Sequence, residues 1–268
     1  MRFPKIFTKK FSRPSAEADS TAIVYQLIHE AHGHLLSEQY DKARAPLLRA
    51  VELRDLLRDA AAIEYILASL DATWLFTERY QDAIAFFSDY ISRYPKDSAA
   101  YGGRAAALWY TGRLQEAVRD YSHALELSSR DILSLSGRGQ VLAELGEHGR
   151  AIEDLNLALQ TLTTVSAPNS SWAKWYQEAE AFVRNGKGFA LAGLGETAHA
   201  MNEFGTSIGL SPENAWVYHN RAQVHDRAGS SESAVADYEK ALAKKGPALS
   251  PLRREHAQTR LRDLSTSV

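Results

Sequence analysis

The feature that most constrains this chain is a period. Ala83, Ala117 and Ala151 stand 34 residues apart, and Ala200 and Ala234 are again 34 apart. Ala43 precedes Ala83 by 40, which implies six inserted residues, and Ala151 to Ala200 is 49, which implies fifteen. Other columns keep step. Four residues after each of these alanines comes a large apolar residue: Leu47, Phe87, Tyr121, Leu155, Phe204 and Tyr238. Five residues before four of them stands a glycine (Gly112, Gly146, Gly195, Gly229), a turn signal between two helical runs. Glu38 and Glu78 take that place in the first two units. A further column is small, with Ala31, Ala105, Gly139, Gly188 and Ala222, and Asp71 departs from it. A unit this short cannot bury its own apolar faces, but a stack of such units can.

These columns resemble the tetratricopeptide repeat, a helix-turn-helix unit of 34 residues, and residues 100–131 carry the pattern most fully. The resemblance implies an all-α, right-handed α-solenoid of six helix-turn-helix repeats at 24–57, 64–97, 98–131, 132–165, 181–214 and 215–248, within a solenoid domain of 21–250. A basic tail, 1–20, precedes it, and 251–268 supply a C-terminal capping helix and tail. Pro95 and Pro212 fall where a second helix must end. Residues 251–264 read as a cap with an apolar edge (Leu252, Leu261, Leu264) and a basic face turned to solvent.

Charge is unevenly spread. The net charge is -2, yet Arg2, Lys5, Lys9, Lys10 and Arg13 give residues 1–16 five positive charges and no acid. Residues 244–262 carry Lys244, Lys245, Arg253, Arg254, Arg260 and Arg262 against Glu255, so the middle of the chain is acidic. The balance gives no drive toward nucleic acid. The absence of cysteine excludes disulfides, thiolate metal sites and a cysteine nucleophile. No apolar run reaches the roughly 18 residues of a membrane span. The basic N-terminus lacks the apolar stretch of a secretory signal, and a cytoplasmic protein is expected. Phe3, Phe7 and Phe11, four residues apart among lysines, allow three readings: a solvated tail, a basic amphipathic helix on an anionic membrane surface, or a segment folded onto the acidic body.

Two charge patterns bear on chemistry. Arg104, Arg138, Lys187 and Arg221 share a column, and sixteen residues later stand Asp120, Asp154, Glu203 and Asp237. The first two units lack both charges together, with Glu30 opposite Pro46 and Leu70 opposite Phe86. Joint presence or absence predicts an ion pair between the two helices of a unit. His29, His32 and His34 form a cluster with Glu30, but two imidazoles without a third placed ligand make a weak site. We expect no metal, no cofactor and no catalytic residues, and place His34 in the core.

The function expected from the resemblance is a non-enzymatic scaffold that binds a protein or peptide segment in its concave groove, lined by the first helix of each repeat. The candidate groove residues are Tyr65, Leu75, Phe76, Gly102, Gly103, Ala106, Trp109, Tyr110, Gly137, Gln140, Phe182 and Phe189. The lysine, asparagine and arginine clamp with which some relatives hold chaperone C-termini is absent from the first three repeats; Asn185 and Asn220 do not rebuild it. Trp172, Trp175 and Tyr176, at helical spacing in the long insertion, predict a lengthened first helix and offer a secondary interaction surface. The alternative function is a homo-oligomeric or membrane-surface assembly factor that uses the basic tail and the Trp172/Trp175 helix.

Overall fold

In the computed structural model, residues 16–57, 59–164, 173–244 and 249–266 are described; the tail at 1–15 and Trp172 lie outside them. The fold is an all-α solenoid, with no strand among the described residues. Helices α1 (Ala16–Leu36) and α2 (Tyr40–Glu52) form the first hairpin, followed by a 3-10 turn at Arg54–Leu56. Then come α3 (Ala60–Phe76) with α4 (Tyr80–Arg93), α5 (Ser98–Tyr110) with α6 (Leu114–Leu127), and α7 (Ile132–Glu144) with α8 (His148–Thr164). Helices α9 (Ala173–Gly193) with α10 (Thr197–Leu210) and α11 (Ala215–Arg227) with α12 (Ser231–Ala243) precede α13 (Pro251–Thr266).

Local chemistry sets the boundaries. First helices start on Asx caps: Asp59 accepts from the Ala61 amide, Asp131 from Ser134 and Asn214 from Trp216. The turn glycines all adopt positive φ, from 73° at Gly229 to 84° at Gly195. Glu38 and Glu78 adopt φ 57° in the same place. The turn is thus kept at the cost of left-handed strain that glycine avoids.

Close packing within hairpins rests on the small column. A Cβ on Gly139 would lie 2.7 Å from Leu155, and one on Gly188 would lie 2.9 Å from Phe204. Asp71 breaks that rule, and α3 and α4 touch less closely than the helices of the other hairpins. Rings fill the space: Trp74 meets Phe86 at 4.9 Å and Phe87 at 5.7 Å. The first helices α3, α5, α7, α9 and α11 pack on one another along the chain more than the second helices do. They therefore line the inner, more tightly curved side.

The predicted rungs appear in geometry. Arg104, Arg138 and Arg221 each grip their carboxylate through Nε and Nη2, at 2.6–2.8 Å. Lys187 meets Glu203 at 3.1 Å, joined there by Arg184 at 2.8 Å.

Two expectations are corrected. His34 is half-exposed and meets Gln39 at 3.2 Å; Leu35, next along, takes the core position with Val24, Ile28 and Ala31. In α13 Leu264 and Ala257 are in the core and Leu261 packs against it, as the expected apolar edge requires, while Leu252 is 54% exposed. The basic residues are not simply solvated: Arg253 turns inward onto Glu144, while Arg260 grips Asp226 at 2.8 and 2.9 Å and Arg254 meets Glu78 in partly exposed pairs. Three arginines of this helix meet Glu144, Glu78 and Asp226, carboxylates of the acidic body.

Candidate interaction groove

The inner face closes on itself where α5, α7 and α11 converge. Trp109, near the end of α5, packs on Trp216 at the start of α11 with ring centroids 4.9 Å apart, and Phe182 of α9 stands 6.3 Å away. The Arg253 guanidinium lies 4.0 Å from the Trp216 ring centroid and 5.1 Å from that of Trp109. Glu144, at the end of α7, accepts from Trp109 Nε1 at 2.9 Å and from Arg253 Nη2 at the same oxygen. Two indoles and a carboxylate from three hairpins therefore enclose one guanidinium. Arg254 donates to Glu78 in the α3–α4 turn at 2.6 Å. Leu252 sits beside the α5–α6 turn, 3.2 Å from where a Cβ on Gly112 would lie.

A row of buried amides runs along the same inner helices. Asn220 donates to Asn185 at 3.2 Å, Asn185 to Gln140 at 3.5 Å, and Gln140 to the Phe182 carbonyl at 3.4 Å. These groups are engaged with one another and do not form a clamp. Beneath α13, His219 of α11 is buried, with Nε2 3.2 Å from His256 Nδ1. Burial, then the charges of Arg253 and His256, pushes His219 down to about 3. At the opposite edge, Asp59, Asp97 and Asp131 begin α3, α5 and α7. Burial and then Asp131, Asp97 and Asp59 raise Glu64. Arg54 already meets Asp97 at this edge, at 3.1 Å.

Several candidate groove residues are corrected. A Cβ on Gly103 would fall 2.4 Å from the Phe87 ring, and one on Gly137 would fall 2.4 Å from the Tyr121 ring. Both glycines seat rings of the preceding hairpin and do not form a groove floor. Tyr65, Trp109, Gln140 and Phe189 are buried, at 3–8% exposure; Tyr65 bonds His32 at 2.6 Å. The cause is the packing of neighbouring inner helices on one another, with Arg253 of α13 over Trp109. Leu75, Phe76, Gly102, Ala106, Tyr110 and Phe182 stay partly exposed. Of these, Tyr110 stacks on Tyr80 at 5.3 Å, and Phe76 on Tyr40 at 4.5 Å. Trp175 and Tyr176 pack half-buried against the main core, and α9 is lengthened to 21 residues as expected. Near them, Leu159, Leu162, Tyr176 and Arg184 line a cleft of about 190 Å³.

Sequence reasoning missed Glu144, Trp216, Arg253 and Arg254. The signal available was the charge split, a basic C-terminal end against an acidic middle.

Paired helices stacked in this way define a repeat solenoid. Residues 98–131 and 217–243 match the family model of the tetratricopeptide repeat, so the chain carries tetratricopeptide repeats. Among solved structures it is similar to a tetratricopeptide repeat protein from Parabacteroides merdae, at 16% identity over 91% of this chain and 99% of that one, TM-score 0.51. It is also similar to a chain of the APC/C hetero-tetramer Cut9–Hcn1, at 14% identity over 93% of this chain, TM-score 0.64. This chain spans 46% of that one. At these identities the likeness concerns the fold. No curated protein sequence matches the chain.

Proposed function

We propose that the chain is a non-enzymatic scaffold whose concave face holds a segment of another protein. Proteins built of these repeats mediate protein–protein interaction in general. The observation that carries the groove reading is the partly exposed inner strip of Gly102, Ala106 and Phe182, which adjoins the indole–carboxylate box already gripping a side chain from α13. Small residues beside aromatic anchors suit an extended segment, since a few buried aromatic contacts dominate binding energy.

The test places a photo-crosslinking amino acid at Ala106 on the inner face, or at Arg119, which is exposed on the second helix of the same hairpin. A discrete partner crosslinked from position 106 and not from 119 supports groove binding. Capture from 119 alone would move the site to the outer face.

A further inference from the structure

We propose that the box of Trp109, Trp216 and Glu144 is an arginine-reading subsite, and that its ligand class is a protein segment bearing Leu-Arg-Arg, which Leu252, Arg253 and Arg254 imitate from within the chain. This rests on the groove reading and names the chemistry of what the groove takes.

The box is shaped for guanidinium. A planar, delocalised cation lies against aromatic rings while its N–H groups reach a carboxylate, which a compact ammonium does less well. Glu144 is held in place by the Trp109 indole N–H, so its carboxylate stays oriented when the arginine leaves. A second carboxylate, Glu78, already holds Arg254 at 2.6 Å. It sits at φ 57°, a strained position where the other four turns shown have glycine and the first has Glu38. A side chain kept at such a position marks a functional candidate.

The helix does not depend on the internal arginine alone. Helix α13 is anchored elsewhere, by Ala257 and Leu264 in the core and by Arg260 on Asp226, with Leu249 buried just before it. Leu252 lies largely in solvent. Arg253 also donates to Ser250 Oγ at 3.3 Å and its side chain is 12% exposed, so truncating it is what empties the box while the other anchors keep the helix seated. An internal side chain competes at high effective concentration, so an external segment binds the wild type weakly and binds an emptied box well.

The test uses the full chain with Arg253→Ala and a fluorescent peptide, Ser-Pro-Leu-Arg-Arg-Glu, read by fluorescence anisotropy. A second peptide carries lysine at both arginine positions. The variant should bind the arginine peptide at least about tenfold tighter than wild type and the lysine peptide about tenfold more weakly, a factor equal to about 1.4 kcal/mol. Adding Glu144→Gln should abolish the gain. Arg253→Gln, which leaves Arg254 on Glu78, gives the same comparison if the alanine variant folds poorly. Equal binding by wild type and a folded variant, or equal binding of the two peptides, would overturn the proposal. If the peptide fails while position 106 still captures a partner, only the arginine reading falls. If the peptide binds while 106 captures nothing, the groove reading falls and the subsite stands.

Discussion

Arg104 and Asp120 meet side-on across the α5–α6 hairpin, with Nε and Nη2 donating to the two carboxylate oxygens at 2.6 and 2.8 Å. Arg104 also reaches Ser88 of the preceding hairpin at 3.3 Å. The pair is partly screened, with side chains 23% and 13% exposed. Its geometry is bidentate, however, and removal of either partner leaves a half-buried charge. A double-mutant cycle of Arg104→Ala and Asp120→Ala should give a coupling of about 1–2 kcal/mol in urea unfolding, between the values for exposed and buried pairs. Additive effects would mean that the rung adds no stability.

Glycines in the solenoid divide by what faces them. Gly103→Ala drives a methyl group into the Phe87 ring, which is fully buried and has nowhere to go. It should destabilise by about 1–3 kcal/mol, as overpacking does. Gly205 lies inside α10 with open space where a Cβ would stand. Gly205→Ala should stabilise by about 0.5–1 kcal/mol through helix propensity. Thermal melts of the two variants decide between packing and a ligand floor. A harmless Gly103→Ala would contradict the packing assignment.

Two buried titratable groups give opposite pH dependences. His219 sits at about 3 in the folded chain against about 6.5 when unfolded. The stability tied to its neutral form is complete above 6.5 and lost as pH falls toward 3. Its neighbours are His256, Arg253, Asn220 and the Tyr238 ring. Wild type should therefore lose urea midpoint between pH 7 and 4.5 more steeply than His219→Gln. Parallel curves would contradict the assignment. Asp71 is raised well above the usual carboxylate value by burial, and its Oδ1 has no partner. Its contribution is intact below about 3.8 and lost as pH rises through its raised value. Asp71→Asn should accordingly stabilise at pH 8 and do little at pH 3.5.

What was legible in the sequence is what repeats. The charge rungs recur at one offset in four units, so Arg104 and Asp120 can be paired without a structure. Glu78 could be placed in a strained turn because it stands in the glycine column. The box was hidden because nothing in it is periodic: Arg253 meets Glu144 across 109 positions of chain. Gly103 and Gly137 were misplaced for a related reason. A period assigns a residue to the inner helix, but the degree of curvature decides whether the side it shows faces a groove or a neighbouring ring.

The central claim, binding on the inner face, is tested most directly by affinity for the crosslinked partner. Ala106→Trp adds bulk to the partly exposed inner face of α5, whereas Trp175→Ala trims the half-buried aromatic pair of α9. Calorimetric titration of that partner should show at least about a tenfold loss for Ala106→Trp and an unchanged Kd for Trp175→Ala. Loss on Trp175→Ala with Ala106→Trp unaffected would contradict the account and place the interaction on the Trp175 surface.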